Sequence, residues 1–242
     1  MTEREYGYLV INVGVFLLFS RGILLLIFLI KQPSIYLRNS NYKPLFWYAL
    51  IAFSIAFLEN IIIYLANQRT EFILLVLEKL EISNTFFTSP FFYINELIFI
   101  SVYFSKILKI NKIFFFGVFL ACIELLNTFF FEGYKDAQTY GSLIVSFWNI
   151  FLSGLYFSKE SKEVFKRNIF KSPVFYFSSG LFISNSLSIF IYFITKALFK
   201  DNTILFYKIS IFRMIIEALC FLAMGYGIGL IKKEKVYCKQ IK

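Results

Sequence analysis

Residues 9–30 read LVINVGVFLLFSRGILLLIFLI, twenty-two residues in a row whose single charge is Arg21. A helix rises 1.5 Å per residue, so about 20 apolar residues cross the roughly 30 Å hydrocarbon core of a bilayer. This run is long enough to cross. It is continuous rather than alternating with a period of two, which sets it apart from a membrane-barrel strand. Six further segments repeat the pattern: Leu45–Ala66, Phe86–Phe104, Ile113–Phe131, Tyr140–Phe157, Val174–Ile194 and Ile204–Leu230. The expected fold is an all-α integral membrane protein, one domain of seven transmembrane helices over residues 1–242, joined by short loops. Pro44 and Pro173 fall next to helix starts, where a missing N–H does no harm.

Composition agrees. Of 242 residues 59% are hydrophobic and the mean hydropathy is +0.70, against an apolar fraction of about 45–50% in a soluble domain. Histidine is absent, which removes the commonest general base and the commonest zinc ligand, so no enzyme, cofactor or metal is expected. Cys122, Cys220 and Cys238 are far apart and odd in number, suggesting neither a zinc site nor a disulfide framework. Glu3 and Glu5 flank Arg4 where a secretory signal would carry a basic region, so the first apolar segment is expected to remain in the mature protein.

The net charge of +10 is explained by topology rather than by nucleic acid. Positive residues are retained on the cytoplasmic side. Lys31, Arg38 and Lys43 occupy the first connection, Lys106, Lys109 and Lys112 the third, Lys159, Lys162, Lys166, Arg167 and Lys171 the fifth, and five lysines follow Leu230. The opposite side carries Arg4, Arg69, Lys79, Lys135, Lys196 and Lys200, with Arg21, Lys208 and Arg213 inside spans. This asymmetry puts the N-terminus outside and the C-terminus in the cytoplasm, in the cytoplasmic membrane of a bacterium. The loop over 67–85 is the longest on the outer side. In it Phe72, Ile73, Val76, Leu77 and Leu80 share one helical face and Glu71, Glu78 and Glu81 the other, the pattern of an interfacial amphipathic helix or a lid.

Polar groups within spans are informative because a central charge costs about 2.5–3.5 kcal/mol on insertion scales. Glu96, Asn149, Asn185 and Glu217 fall near mid-membrane, with Asn95 beside Glu96; Glu59, Asn60, Glu124, Asn127 and Arg213 fall near the middle or toward the outer half. Six helices thus bring polar side chains to similar depth, and together these ten residues form the candidate ligand- or ion-binding set. Arg213 and Glu217, four apart, are expected to pair locally. Glu59, Glu96 and Glu124 then lack an obvious cation, since Lys208 lies outward and Arg21 more inward. They carry a proton, meet a cationic ligand or ion, or only make interhelical hydrogen bonds. Ser178, Asn185 and Ser188 follow a stripe spaced by seven and three. Gly225, Gly227 and Gly229 end a membrane helix instead of joining a strand to a helix, so close packing through Gly225 and Gly229 is expected in place of nucleotide binding.

The leading expectation is a non-enzymatic protein that senses a small ligand in an intramembrane polar pocket and signals to a cytoplasmic partner, its loops being too short for an output domain. A small secondary transporter for a cation or amine is the second reading, and an accessory subunit of a membrane complex the third. The expected partners are the lipid bilayer, a small-molecule or cation ligand, and a cytoplasmic or membrane protein.

Overall fold

The computed structural model describes residues 3–31, 41–68, 71–79, 86–133, 139–162 and 169–231. Among them there are eight α-helices and no strand: α1 Glu3–Ile30, α2 Lys43–Asn67, α3 Glu71–Lys79, α4 Ser89–Leu108, α5 Asn111–Phe130, α6 Thr139–Ser161, α7 Pro173–Asp201 and α8 Thr203–Gly229. All but α3 are long and apolar enough to cross a membrane. The helices overrun the apolar runs, because backbone hydrogen bonding continues past the first charged residue. Thus α1 begins at Glu3 rather than Leu9, α6 reaches Ser161 rather than Phe157, and α7 reaches Asp201 rather than Ile194.

Local signals mark the ends. Pro44 and Pro90 occupy the first turns of α2 and α4, and Asn202 accepts from Leu205 N–H at 3.0 Å to cap α8. Lys109, in the left-handed region at φ 60°, stops α4, and Ile110 N–H returns to Ser105 C=O at 3.0 Å before α5 begins.

Helix contacts define a closed ring in the order α1, α2, α4, α6, α7, α8 and back to α1. Helix α5 stands outside it, packed on α4 and less extensively on α6. The sequence of α5 shows why. Its buried positions Ile113, Gly117, Ala121, Glu124, Asn127 and Thr128 form one narrow stripe, while Phe115, Phe119, Phe129 and Phe130 remain exposed. At Gly117 an added Cβ would overlap the Ser101 side chain and crowd Leu97 C=O, so the glycine is what lets α5 lie close to α4.

The ring is apolar outside, with Phe19, Phe147, Phe190 and Leu219 all more than half exposed. Such continuous apolar surface far exceeds the patches of a soluble monomer; the architecture is membrane-like. Inside, the two halves differ. Toward the end where α1, α4, α6 and α8 finish, the ring is filled by Leu24, Phe28, Leu45, Tyr48, Leu97, Tyr103, Phe104, Leu152, Phe177 and Ile228, all essentially buried. That end also carries lysines that meet helix C-termini: Lys31 Nζ donates to Ile231 C=O at 3.4 Å and Lys159 Nζ to Ile107 C=O at 3.3 Å.

One expectation about packing is corrected. Gly225 does sit tightly against α1, where a Cβ would lie 2.9 Å from Ile27 Cδ1, but among the described residues nothing lies within 4 Å of a Cβ at Gly229. The second close approach is made by Gly227, whose Cβ would lie 2.6 Å from Tyr176 Cβ. Residues two apart face different neighbours, so Gly225 serves α1 and Gly227 serves α7. Over the 67–85 loop the amphipathic helix forms as α3, with Phe72 and Val76 exposed rather than docked. Leu80, Glu81, the basic tail and Cys238 lie outside the described residues.

Candidate functional site

At the amino-terminal end of α1 the ring encloses a cavity of about 390 Å³, within the range of small-molecule sites. Its α1 wall runs from Val10 to Arg21, a depth of about 16 Å at the helical rise. All six ring helices line it and α5 does not. Polar side chains come from Arg21 on α1, Glu59 and Asn60 on α2, Ser89 and Glu96 on α4, Ser142 and Ser146 on α6, Ser184, Asn185 and Ser188 on α7, and Arg213 and Glu217 on α8. Phe92 and Tyr93 supply aromatic wall.

The floor is a bonded network. Arg21 Nη2 donates to Glu217 Oε1 at 2.7 Å, and the guanidinium lies 4.8 Å from the Phe92 ring centroid and 5.3 Å from that of Phe221. Glu217 therefore takes a cation from the adjoining helix α1. The expected inward displacement of Arg21 from the carboxylates does not hold, because α1 packs against α8 with Arg21 and Glu217 level. Glu96 joins three helices: Tyr48 O–H donates to Oε1 at 3.1 Å and Asn149 Nδ2 to Oε2 at 3.0 Å. Asn149 Nδ2 is also 3.5 Å from Asn185 Oδ1, while Asn185 Nδ2 donates to Leu181 C=O at 2.9 Å. The buried Asn149 Oδ1 has no hydrogen-bond partner among the described residues.

Below this network Tyr48, Phe177 and Tyr103 close the ring, with ring centroids 6.3 Å apart for Tyr48 and Phe177 and 5.2 Å for Tyr103 and Phe177. The cavity thus has a mouth at one end and an aromatic plug at the other.

Of the ten residues singled out in the sequence, Glu59, Asn60, Glu96, Asn185, Arg213 and Glu217 line the cavity, and Asn149 lies directly behind Glu96. Asn60 spends its amide N–H on Ala56 C=O of its own helix at 2.8 Å. Asn95 points away, donating to the Tyr48 carbonyl at 3.1 Å and so tying α4 to α2.

Glu124 and Asn127 do not join the site. Being on α5, they face α4 and α6 from outside the ring. Glu124 is fully buried, within reach of Thr128 Oγ1 at 3.4 Å and packed so closely on Gly141 that a Cβ there would overlap its carboxylate. Asn127 Nδ2 donates at 2.7 Å to Glu132, whose carboxylate accepts from the backbone N–H groups of Thr139 and Tyr140 at 2.7 and 2.9 Å. That second polar cluster holds down the first turn of α6 in the manner of an N-terminal cap.

Sequence reading left Arg21, Ser142, Ser146 and Ser184 out of the site and placed Ser188 only on a stripe with Asn185. A signal existed for the serines: Ser142 and Ser146 are four apart, as are Ser184 and Ser188, which places each pair on one face.

Chemically, the cavity presents three carboxylates and two guanidinium groups. Among the described residues no three His, Cys, Asp or Glu side chains are close enough to share a metal ion. The arrangement suits a small charged organic molecule recognised by ion pairs and hydrogen bonds. No family model, curated protein or solved structure matches this chain, so its function is argued from the geometry of the site alone.

Proposed function

We propose that the protein binds a small cationic or zwitterionic solute, an amine or amino-acid-like compound, in the ring cavity from the outer side of a cytoplasmic membrane, and transmits occupancy to a cytoplasmic partner without catalysing a reaction. The observation that carries this reading is the one-sided cavity, lined by polar side chains from six helices, four of which carry charges, and ending at a bonded floor and an aromatic plug. A ligand touching all six helices has differential contacts with any rearrangement of them, which is the requirement for a population shift. The orientation rests on the lysine asymmetry, which assigns the basic end to the cytoplasm.

A thermostability screen of purified protein against amines, amino acids and oligoamines tests this. At least one such compound raises the melting temperature of the wild type and not of Glu96→Gln, which keeps one oxygen acceptor but no charge. Wild type and variant responding alike across the screen would overturn the assignment.

Transport of a cation or amine is a second reading, favoured by the position of Glu96 and Glu217 at the boundary between cavity and plug, where a gate would sense occupancy. Proton-gradient-dependent uptake of the stabilising compound into liposomes separates it from sensing. In the reading as an accessory subunit, the unpartnered outer faces bury a partner helix; a stoichiometric partner retained in mild detergent would favour it.

A further inference from the structure

A second concavity lies outside the ring, where α5 diverges from α6. It has a volume of about 810 Å³ and is walled by Ile113, Phe116, Leu143, Phe147, Trp148 and Phe151. Trp148 Nε1 is already satisfied by Ser101 Oγ at 2.8 Å, so the indole offers the groove only its apolar ring, stacked on Phe151 at 5.6 Å and against Phe116 at 5.0 Å. Polar atoms enter at the ends alone, from Tyr140 at one and Lys112 at the other. From Tyr140 to Phe151 the wall is about 16 Å long, close to half the roughly 30 Å hydrocarbon thickness.

The Lys112 end is basic. Lys112 is exposed in the first turn of α5, where the helix dipole is positive, and Lys109 lies in the turn before it. The chain has no acidic residue between Glu96 and Glu124.

We propose that this groove holds one acyl chain of an anionic phospholipid from the leaflet at the basic end, with the phosphate at Lys112 and Lys109. The apolar wall accounts for the chain, and charge complementarity at one end accounts for the headgroup. A partner helix fits less well, because the groove is only two to three turns long and terminates in a cation.

Native mass spectrometry of protein released from nanodiscs of mixed phosphatidylglycerol and phosphatidylcholine tests the assignment. The wild type retains one phosphatidylglycerol in preference to phosphatidylcholine. Lys112→Gln lowers that preference about fivefold. Leu143→Trp, which fills the groove, abolishes retention of either lipid, whereas Leu26→Trp, on the exposed outer face of α1, changes nothing. Equal retention of the two lipids by the wild type, an unchanged preference in Lys112→Gln, or lipid surviving Leu143→Trp would each overturn the proposal. So would a dimer that Leu143→Trp dissociates, since the groove would then be covered by a second copy.

Discussion

Arg21→Met destabilises the protein by about 3 kcal/mol, and the double variant Arg21→Met with Glu217→Met recovers most of that loss. Removing one member of a low-dielectric ion pair leaves the other charged and unpaired, which costs roughly 3–5 kcal/mol, whereas replacing both by apolar groups is often near neutral. The lower end of the range applies because the two side chains keep 15% and 19% of their exposure through the cavity. Arg21 also loses its contacts with the Phe92 and Phe221 rings, worth about 0.5–2 kcal/mol, a loss methionine partly offsets by packing on the same rings. Unfolding in detergent, followed for the two single variants and the double, reads the coupling directly. A double variant as unstable as the sum of the singles would show that the pair is not coupled, and the floor of the cavity would need another explanation.

The second large effect belongs to the plug. Phe177 has no exposed surface and lies between Tyr48 and Tyr103, so Phe177→Ala leaves a void and costs roughly 3–5 kcal/mol. It has a functional consequence that an ordinary core truncation lacks. The residue separates the cavity from the basic end, and its removal makes the floor accessible from both sides. In liposomes the variant is expected to leak small cations that the wild type retains. Phe177→Leu, which keeps most of the volume, costs less than about 1.5 kcal/mol and restores the seal. A destabilised but tight Phe177→Ala protein would mean that the barrier lies elsewhere in the ring.

The seven spans were legible because lipid imposes a simple demand: enough consecutive apolar residues, with polar ones conspicuous by their cost. The polar positions of α2, α4, α7 and α8 converge as their depth suggested. Depth along the membrane follows from counting residues, but position around the ring does not, and this is where the reading of the site departed from the structure. Glu124 matches Glu59 and Glu96 in type and depth, yet it sits on the helix outside the ring. Its neighbours held the clue. The stripe Gly117, Ala121, Glu124, Asn127 and Thr128 is narrow, with large apolar residues, mostly phenylalanine and leucine, on the remaining sides, which is the pattern of a helix with a single packing face. Helix α6 instead buries Gly141, Ser142, Val145, Ser146, Trp148, Asn149 and Leu152, covering faces toward several neighbours. Arg21 was assigned to the wrong surroundings for a related reason: pairing it with Glu217 requires knowing that the first and last helices adjoin, which no local pattern encodes.

Partition of the ring into a charged half and an aromatic half also bears on how occupancy could be felt at a distance. Glu96 is bonded to α2 through Tyr48 and to α6 through Asn149, and Tyr48 itself packs on the Phe177 ring. A ligand that competes for Glu96 therefore acts on the contact that seats the plug, giving a short physical connection between cavity and basic end.

The most direct test of the one-sided cavity is side-specific cysteine labelling. In protein with Cys122, Cys220 and Cys238 replaced by serine, single cysteines are introduced at Ser184 and Ser188, which line the cavity, and at Ser178, which is fully buried beyond its floor. A charged, membrane-impermeant maleimide applied to the outer face of intact cells is expected to modify Ser184→Cys and Ser188→Cys and to leave Ser178→Cys untouched. Resistance of all three until the membrane is dissolved, or modification only from the cytoplasmic face, would contradict a cavity open to the outside.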